Sequence, residues 1–323
     1  MGKIKTIFTD DLGAVNRCLR SYSSVYMVYD SNVAALTGEI SKHVRASLPI
    51  TVSERMKTVE EAVKIDRWLL EQNADRKALV LAVGGGVTID LAGFAASIYK
   101  KGIAWACVPT SLLAQVNAAV TGRTGVNLGA EKDILGSLQK PDFAFICPKA
   151  LETLPSRDYK AGVAELLKTF IISDDAAYEM TLNALHSNYQ DTLAELVTTA
   201  AEFNAKMAGH GSEEKSVLNL GGIFCDAIES FQLSNAVAEP LSHGEALAVG
   251  LVMTARLSES RGYAREGLGD KIARDLEAIG LPTVPPCAEE DIQDIIIRRK
   301  KAEGGRLNVV LIEKIGKVKL TRI

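Results

Sequence analysis

Three consecutive glycines, Gly84, Gly85 and Gly86, follow a short apolar run at residues 78–83. Such a run has the length of a buried strand, and the residues after the glycines have the pattern of a helix. A strand that turns through glycine into a helix leaves backbone N–H groups open to a diphosphate. The sequence therefore predicts an α/β fold, with a nucleotide cofactor as the first functional hypothesis.

The glycine motif departs from the dinucleotide-binding fingerprint, because Ile89 stands where that pattern has its third glycine. Asp90 follows in the first turns of the predicted helix. It either takes part in a cofactor site or only interacts favourably with the helix dipole. A glycine-rich strand exit is also a common tight turn, so the motif alone leaves both interpretations open.

Apolar segments and helical patterns alternate in the first half of the chain. Strands are predicted at residues 25–30, 48–52, 78–83, 105–109 and 143–148, and helices at 58–70 and 87–99. This alternation indicates a parallel sheet covered by helices on both faces.

The second half of the chain has mainly the apolar periodicity of helices. Helices are predicted there at residues 159–172, 174–185, 191–207, 222–231, 243–261 and 264–279, and a hairpin at 307–312 and 317–322. We therefore predict an α/β domain over residues 1–150 and a mostly α-helical domain over residues 151–323.

Composition excludes several functional classes. The chain has 323 residues, a net charge of −3 and a pI near 5.9, which argue against a general nucleic-acid surface. It has no apolar run long enough to span a bilayer and no signal-peptide pattern, so we expect no membrane association. Its five cysteines are scattered and include no CxxC motif. Reduced thiols in a cytoplasmic protein are therefore expected.

Two further segments carry polar side chains suited to a ligand: hydroxyls directly after a predicted strand, and cations in a glycine-containing segment that follows. Thr110 and Ser111 come directly after the strand at 105–109, where a hydroxyl either caps the next helix or contacts a cofactor. Arg123 lies between glycines, and Lys132 follows nine residues later. Such cations suit a phosphate site, although the composition is equally typical of a solvated surface loop.

Three ionisable residues stand out in the helical half. Glu165 and Lys168 lie within an apolar helical run. Charged residues in such a run are either at its solvent-exposed edge or paired inside a site. His243 begins another very apolar helix. A single histidine there is more often structural than a ligand, but Glu165 and His243 together form half of a metal site.

Taken in order along nearly the whole chain, these motifs resemble the 3-dehydroquinate synthase family of sugar-phosphate cyclases. Residues 53–57 stand where the family has a Gly-Glu-x-x-Lys element. The other matching segments are residues 84–94, 109–116, 122–127, 154–155, 161–168, 219–221 and 243–246, with Asp30, Asn32 and Lys132.

The resemblance implies an N-terminal Rossmann-like α/β domain with a parallel sheet and a mostly α-helical C-terminal domain, usually in a homodimer. The family binds NAD and one divalent metal ion, zinc or cobalt. It converts a sugar phosphate, 3-deoxy-arabino-heptulosonate 7-phosphate, into 3-dehydroquinate and phosphate in the shikimate pathway of aromatic amino-acid biosynthesis. The protein is therefore expected to be a phosphate-eliminating lyase with a small-molecule substrate.

The resemblance also implies the site residues, position by position. The NAD-binding residues would be Asp30, Asn32, Glu54, Lys57, Gly85, Gly86, Asp90, Thr110, Ser111 and Asn117. The catalytic and substrate-binding residues would be Arg123, Lys132, Lys168, Lys206 and Asn219. Glu165 and His243 would be metal ligands.

The chain departs from the family at the metal site. The family holds its metal with Glu, His and His, and the middle His belongs to an Asn-Leu-Gly-His motif. Gly222 replaces that His here and offers no donor atom, so the family's three-ligand site cannot form. Asp226 lies four residues later on the same helical face, roughly 6 Å along the axis, and is the expected replacement ligand.

Other replacements affect the same motifs. Asn117 stands where the family has Asp, Asp133 where it has Asn, Arg123 where it has Lys, and Lys215 where it has Arg. Three hypotheses follow. The protein is a working 3-dehydroquinate synthase with a rebuilt metal site, a paralogue with another sugar-phosphate substrate, or a weakly active or inactive homologue that binds NAD.

Overall fold

The computed structural model describes residues 4–129, 131–210, 215–302 and 304–322. The chain forms two compact units, Met1–Pro155 and Ser156–Ile323. Strands and helices alternate in the first unit, and helices dominate the second.

A parallel sheet forms the centre of the first unit. Within the described residues it has six strands in the spatial order β1-β8-β5-β4-β2-β3. The strands are β1 Lys5–Phe8, β2 Val25–Asp30, β3 Ala46–Ile50, β4 Leu79–Gly84, β5 Ala104–Pro109 and β8 Phe143–Ile146. The central strands β4 and β5 are buried almost throughout, as a parallel sheet covered on both faces requires. This architecture confirms the predicted fold class.

Two short helices, α1 Val15–Leu19 and α2 Ala34–Ile40, cover one face of this sheet. Alternate residues of each strand point to that face, and they pack with apolar residues of the N-terminal segment. The shared core includes Val25, Met27, Leu79, Leu81, Val83, Leu12, Val15, Leu19 and Ile40.

The two longer helices of the first unit lie within a residue or so of their predicted positions. They are α3 Val59–Glu71 and α4 Gly86–Ile98. Thr58 precedes α3, and its side chain accepts a hydrogen bond from the Glu61 amide at 3.4 Å. This N-cap explains why the helix begins at Val59.

An antiparallel hairpin follows the sheet's fifth strand in sequence and was not predicted. A π-helical turn, Ala114–Ala118, and the short helix α5 Ala119–Thr121 lead into β6 Thr124–Leu128 and β7 Glu131–Ser137. Most of β7 is exposed, so it lacks the apolar alternation by which a strand is recognised in sequence. The segment that contains Arg123 and Lys132 is therefore largely a hairpin, although its composition is also typical of a surface loop.

The second unit consists mainly of helices, and those that lie before residue 280 agree with the predicted segments. They are α6 Ser156–Ser173, α7 Asp175–Ser187, α8 Gln190–Ala208, α9 Gly222–Ser234, α10 His243–Ser260, α11 Leu268–Ile279 and α12 Glu289–Ala302. Helix α11 begins four residues later than predicted, because Gly267 adopts a left-handed conformation before it. Helix α12 was missed, although its first turn carries the acidic residues that favour a helix N-terminus.

The chain closes with the predicted hairpin, formed by β9 Asn308–Lys314 and β10 Lys317–Arg322. Its backbone is tied to the helices of the same unit. The Ile312 amide donates to Ser258 on α10 at 2.9 Å, and the Gly316 amide donates to the Ile171 carbonyl on α6 at 2.9 Å. In the described part of the chain, none of the helices combines the length and apolar character that crossing a bilayer requires.

A half-buried carboxyl on α3 makes stability depend on pH. Burial raises the pKa of Asp66 from its ordinary 3.8 to about 7, and its Oδ1 has no hydrogen-bond partner among the described residues. The folded protein therefore binds this proton more tightly than the unfolded chain, and stability falls as the pH rises from about 4 to 7.

We expect Asp66→Asn to raise the free energy of unfolding at pH 8 by about 1–2 kcal/mol, allowing for screening at the exposed side of the carboxyl. The gain should shrink below pH 7 and nearly vanish at pH 4, as measured by urea unfolding. Glu71→Gln, at the exposed end of the same helix, is the matched control. An equal gain at both pH values would contradict the assignment.

Candidate active site

The glycine turn lies at the carboxyl edge of the sheet, where β4 passes into α4. Gly84 ends the strand, Gly85 occupies the N-cap position, and Gly86 begins the helix. Within the described residues, no side chain caps this helix terminus by a hydrogen bond. Because the first N–H groups of a helix lack intrahelical partners, they are available to an anion here.

The next strand brings its own polar residues to this turn. The Thr110 amide donates to the Gly84 carbonyl at 3.0 Å, and a Cβ on Gly85 would lie 3.3 Å from the Ser111 Oγ. Thr88, one turn into α4, is fully buried, and its hydroxyl has no hydrogen-bond partner among the described residues. The turn is therefore a small polar cradle free of bulky side chains, which fits the diphosphate of a dinucleotide.

Asp30 lies at the same edge of the sheet. The parallel register pairs Tyr29 with Val83, so Asp30, the last residue of β2, comes level with the beginning of the glycine turn. Its Oδ1 accepts a hydrogen bond from the Asn32 amide at 2.9 Å. The structure thus brings Asp30 and Asn32 to the end of a strand next to the glycine turn, as expected for parallel strands.

Lys57 is a buried cation shared by two carboxylates. Its Nζ lies 2.5 Å from Asp90 Oδ2 on α4 and 2.6 Å from Asp133 Oδ1 on β7. Burial opposes the charge on Lys57, but Asp90, Asp133 and Glu54 raise its pKa above the ordinary value. Burial raises the pKa of Asp90 to about 6, although the attraction of Lys57 lowers it. Asp90 therefore pairs with Lys57 beside the glycine turn, and its role in cofactor binding stays a prediction.

Glu54 and Asn127 extend this network. The Asn127 amide nitrogen donates to Glu54 Oε1 at 3.0 Å, and its Oδ1 accepts from the Asp133 backbone at 3.0 Å. Lys132 Nζ lies 3.1 Å from the same Glu54 oxygen. Asn127 was not proposed as a site residue, although its neighbours were. It connects the Gly-Glu-x-x-Lys-like element to the hairpin, and we call these residues (Glu54, Lys57, Asp90, Asn127, Lys132 and Asp133) the charged network.

The structure also describes the other expected site residues, each within its own unit. Asn117 lies half-buried in the π-helical turn, and Arg123 is exposed just before β6. In the second unit, Lys206 is exposed near the end of α8, and Asn219 is exposed before α9. Their positions are compatible with contact to a soluble substrate.

In the second unit, α6 carries an ion pair inside its apolar run. Glu165 is fully buried and forms an ion pair with Lys168, one turn further along the helix. Glu165 Oε2 has no hydrogen-bond partner among the described residues. A buried carboxylate with an unpartnered oxygen is typical of a site that holds a ligand or an ion.

Three donor atoms converge where α9 faces the start of α10. His243 Nδ1 lies 3.1 Å from Glu229 Oε1 and 3.7 Å from Cys225 Sγ, and Cys225 Sγ lies 3.8 Å from Glu229 Oε2. Within the described residues, these three are the only His, Cys, Asp or Glu side chains with donor atoms grouped closely enough for one metal ion. Glu165 and Asp226 lie outside this group.

The ionisation of these groups reflects their closeness. Burial, together with Glu229, raises the pKa of the Cys225 thiol to about 11. Burial lowers the pKa of His243, but Cys225 and Glu229 beside it raise it more, and the result lies well above the ordinary value. The cluster therefore holds protons that a bound cation would replace.

Close packing of helices creates this cluster. A Cβ built on Gly250 of α10 would lie only 2.5 Å from the Gly221 carbonyl oxygen and 3.1 Å from the Cys225 amide nitrogen. The first distance is far too short for a carbon atom. Only glycine allows α10 to approach α9 so closely. Cys225 and Glu229, one turn apart on α9, consequently both face His243.

Gly222 is not an open position awaiting a ligand. A Cβ built there would fall on the side-chain amide of Asn219, whose Nδ2 would be only 2.8 Å away. The Asn219 side chain therefore takes up the space that any side chain at position 222 would need. The missing histidine and the cluster at Cys225 belong to the same short stretch of α9.

Sequence reasoning missed Cys225 and Glu229. Their spacing of four residues in an apolar helix, shortly before His243, was a usable signal for donors on one helical face. The expectation of Glu165, Asp226 and His243 as metal ligands stays a prediction.

Comparison with known proteins gives consistent matches. The family model described as 3-dehydroquinate synthase N-terminal matches residues 47–161, and that described as 3-dehydroquinate synthase C-terminal matches residues 162–302. The chain is 35% identical to the 3-dehydroquinate synthase of Halorhodospira halophila, over 98% of this chain and 88% of that protein. It is 34% identical to that of Acidithiobacillus ferrooxidans, over 93% and 85%.

Solved structures with the same fold are more distant in sequence. The 2-epi-5-epi-valiolone synthase of Streptomyces hygroscopicus, solved with NAD+ and Zn2+, superposes with a TM-score of 0.89 at 22% identity, over 99% of this chain and 93% of that one. A 2-deoxy-scyllo-inosose synthase in complex with carbaglucose-6-phosphate, NAD+ and Co2+ gives a TM-score of 0.85 at 23% identity, over 100% and 96%. These likenesses establish the fold.

The charged network generates a prediction about stability. Lys57→Met would leave Asp90 and Asp133 facing each other without a cation, and breaking such a buried pair costs about 3–5 kcal/mol at pH 8. Lys57 lowers the pKa of Asp90, which is about 6 with the cation present, so without Lys57 Asp90 takes up its proton at a pH above 6 and the repulsion is relieved by pH 5. The loss of stability should therefore be smaller at pH 5.

Urea unfolding at pH 8 and pH 5 measures this difference. Lys64→Met is the control, because Lys64 pairs with Glu61 on the exposed surface of α3. Its effect should stay within about 0.5 kcal/mol at both pH values. A Lys57→Met loss that is small, or equal at the two pH values, would contradict the shared-cation geometry.

Proposed function

The chain belongs to the 3-dehydroquinate synthase family, and we propose that it converts 3-deoxy-arabino-heptulosonate 7-phosphate into 3-dehydroquinate and phosphate. The observation that carries this proposal is the match to a named 3-dehydroquinate synthase at 35% identity over 98% of the chain. Such an enzyme is a carbon–oxygen lyase of aromatic amino-acid biosynthesis.

The proposed activity requires NAD and a divalent metal ion, zinc or cobalt. Bound NAD would supply a reversible acceptor for the hydride of the carbon that bears a substrate hydroxyl. The metal ion, when bound, holds substrate hydroxyls and stabilises the negative charge of an alkoxide. Support comes from the solved relatives of the same fold, one with NAD+ and Zn2+ and one with NAD+ and Co2+.

The first unit would hold NAD at the carboxyl edge of its sheet. Backbone N–H groups of Gly85 and Gly86 would face the diphosphate, and the Thr110 backbone and the Ser111 hydroxyl lie beside the turn. Lys57 pairs with two carboxylates and so fixes α4 against the hairpin, and it remains among the NAD-binding residues we propose. The remaining NAD-binding residues we propose are Asp30, Asn32, Glu54, Asp90 and Asn117.

Cationic side chains would bind the anionic groups of the substrate. Once the hydroxyl is a ketone, the neighbouring C–H becomes acidic. Loss of that proton breaks the bond to the phosphate, which leaves with the electron pair. Cations lower the cost of this step because they stabilise the leaving phosphate and hold the substrate carboxylate. The cations proposed for this work are Arg123, Lys132, Lys168 and Lys206, and the neutral amide of Asn219 is proposed to hydrogen-bond the substrate beside them.

Gly222 favours a second candidate function. Because it removes a metal ligand that the family uses, a homologue that binds NAD but turns over weakly or not at all is the alternative. A paralogue acting on another sugar phosphate is the third possibility, and the complex of a solved relative with carbaglucose-6-phosphate supports that substrate class.

We further propose that the protein works as a homodimer in the cytoplasm. The described cysteines are all unpaired, as in a reducing compartment. Light scattering after size exclusion measures the oligomeric state, and a monomeric mass at working concentration would contradict the dimer.

The activity predicts phosphate release that needs NAD only in catalytic amounts. Protein incubated with zinc, NAD+ and the heptulosonate phosphate should release phosphate and form dehydroquinate in equal amounts, without net NADH. Phosphate release only from other sugar phosphates would identify a paralogue. Saturable NAD+ binding with no turnover of any of these substrates would identify the inactive homologue.

Lys132 provides a matched test of the substrate site. Lys132→Ala should lower kcat/KM by about 10- to 100-fold, because a charged hydrogen bond to the substrate is lost. Lys77→Ala, at an exposed position in the same unit, should leave it unchanged. Equal rates for the two variants would remove Lys132 from the proposed site.

A further inference from the structure

We propose that this chain binds its divalent metal ion through Cys225, Glu229 and His243, a sulfur, oxygen and nitrogen donor set. The inference deepens the proposed function, since that function requires a metal, but it concerns binding alone. It differs from the ligands expected by position, because neither Glu165 nor Asp226 belongs to the cluster of donor atoms.

The spacing of the three donors fits a tetrahedral ion. With zinc–ligand bonds of about 2.0–2.3 Å, the edges between ligand atoms of a tetrahedron are about 3.3–3.8 Å. His243 Nδ1 lies 3.1 Å from Glu229 Oε1 and 3.7 Å from Cys225 Sγ, and Cys225 Sγ lies 3.8 Å from the other carboxylate oxygen, Glu229 Oε2. One donor atom from each of the three residues lies within 4.8 Å of the other two. A rotation of the Glu229 carboxylate would turn one oxygen toward both other donors and close the site around an ion.

The surroundings of the cluster also suit an ion. Cys225 and Glu229 are buried on α9, whereas the His243 imidazole is 40% exposed. The protein thus supplies three ligands from inside, and the exposed side leaves a fourth position for water or a substrate hydroxyl. Three protein ligands with one open position is the usual form of a catalytic zinc site.

The chemistry of the donors selects the ion. A thiolate and an imidazole favour zinc or cobalt, whereas magnesium and calcium prefer oxygen ligands. The other fully buried cysteines, Cys107 and Cys147, lie on or at the end of strands of the first unit, in its apolar core. Cys225 is therefore the buried thiol placed beside a histidine and a carboxylate.

The expected ligand Glu165 has a different partner. Its carboxylate forms an ion pair with Lys168, and it does not belong to the cluster of donor atoms. Gly222 removes the family's middle ligand, and Asn219 takes up the space beside it. One and two turns further along α9, Cys225 and Glu229 supply two donors where the family motif supplies one.

Cobalt absorption tests this donor set directly. Protein stripped with a chelator and titrated with Co2+ should bind one equivalent and show a thiolate-to-cobalt charge-transfer band in the near ultraviolet. Cys225→Ser should abolish the band and weaken Co2+ binding, and Glu229→Gln should weaken binding while keeping the band. Cys287→Ser, a half-buried cysteine of the same unit, and Asp226→Asn should leave band and affinity unchanged.

Bound cobalt without the band, or a band that persists in Cys225→Ser, would overturn the proposal, as would failure to bind cobalt. If Cys225→Ser does not fold, X-ray absorption of the zinc-loaded natural chain decides. One sulfur at about 2.3 Å from zinc supports the proposal, and its absence overturns it. The band without phosphate release would contradict the proposed function alone, and phosphate release without the band would contradict this donor set alone.

Discussion

The close approach of α10 to its neighbouring helices is the constraint on which the site in the second unit depends. Gly250 lets α10 contact the backbone of α9, and Gly244 lets it contact α6, where a Cβ would overlap the Ala161 carbonyl. Because α10 begins at His243, these two contacts place its imidazole beside α9 and its first turn against the helix that carries Glu165. A side chain at either glycine would push α10 away and separate the donors.

In the first unit, a network of ion pairs and hydrogen bonds fixes the residues around the carboxyl edge of the sheet. There, one buried cation, Lys57, joins α4 to the hairpin, and Asn127 joins the hairpin back to Glu54. Burying ions is costly, so such a network contributes more to fixing positions than to net stability. The glycine turn supplies the open backbone, and the charged network holds the polar residues around it.

The regular parts of the fold could be predicted because periodicity and caps are local. The strand ending at Gly84 and the helix after it lie within one residue of their predicted limits. The hairpin β6–β7 could not be predicted, because an exposed strand paired to its neighbour leaves no apolar pattern. Cys225 and Glu229 were missed for another reason. Their spacing places both on one face of α9, but only the contact between α9 and α10 gives them a shared partner in His243.

We propose that the metal ion is held further along α9, at Cys225 and Glu229, although Gly222 lacks the histidine that the family uses as a ligand. Anomalous diffraction at the zinc absorption edge, from crystals grown with zinc, tests this most directly. We expect one anomalous peak within bonding distance of Cys225 Sγ, a Glu229 carboxylate oxygen and His243 Nδ1. A peak bonded to Glu165 or Asp226 instead, or no peak in the second unit, would contradict it.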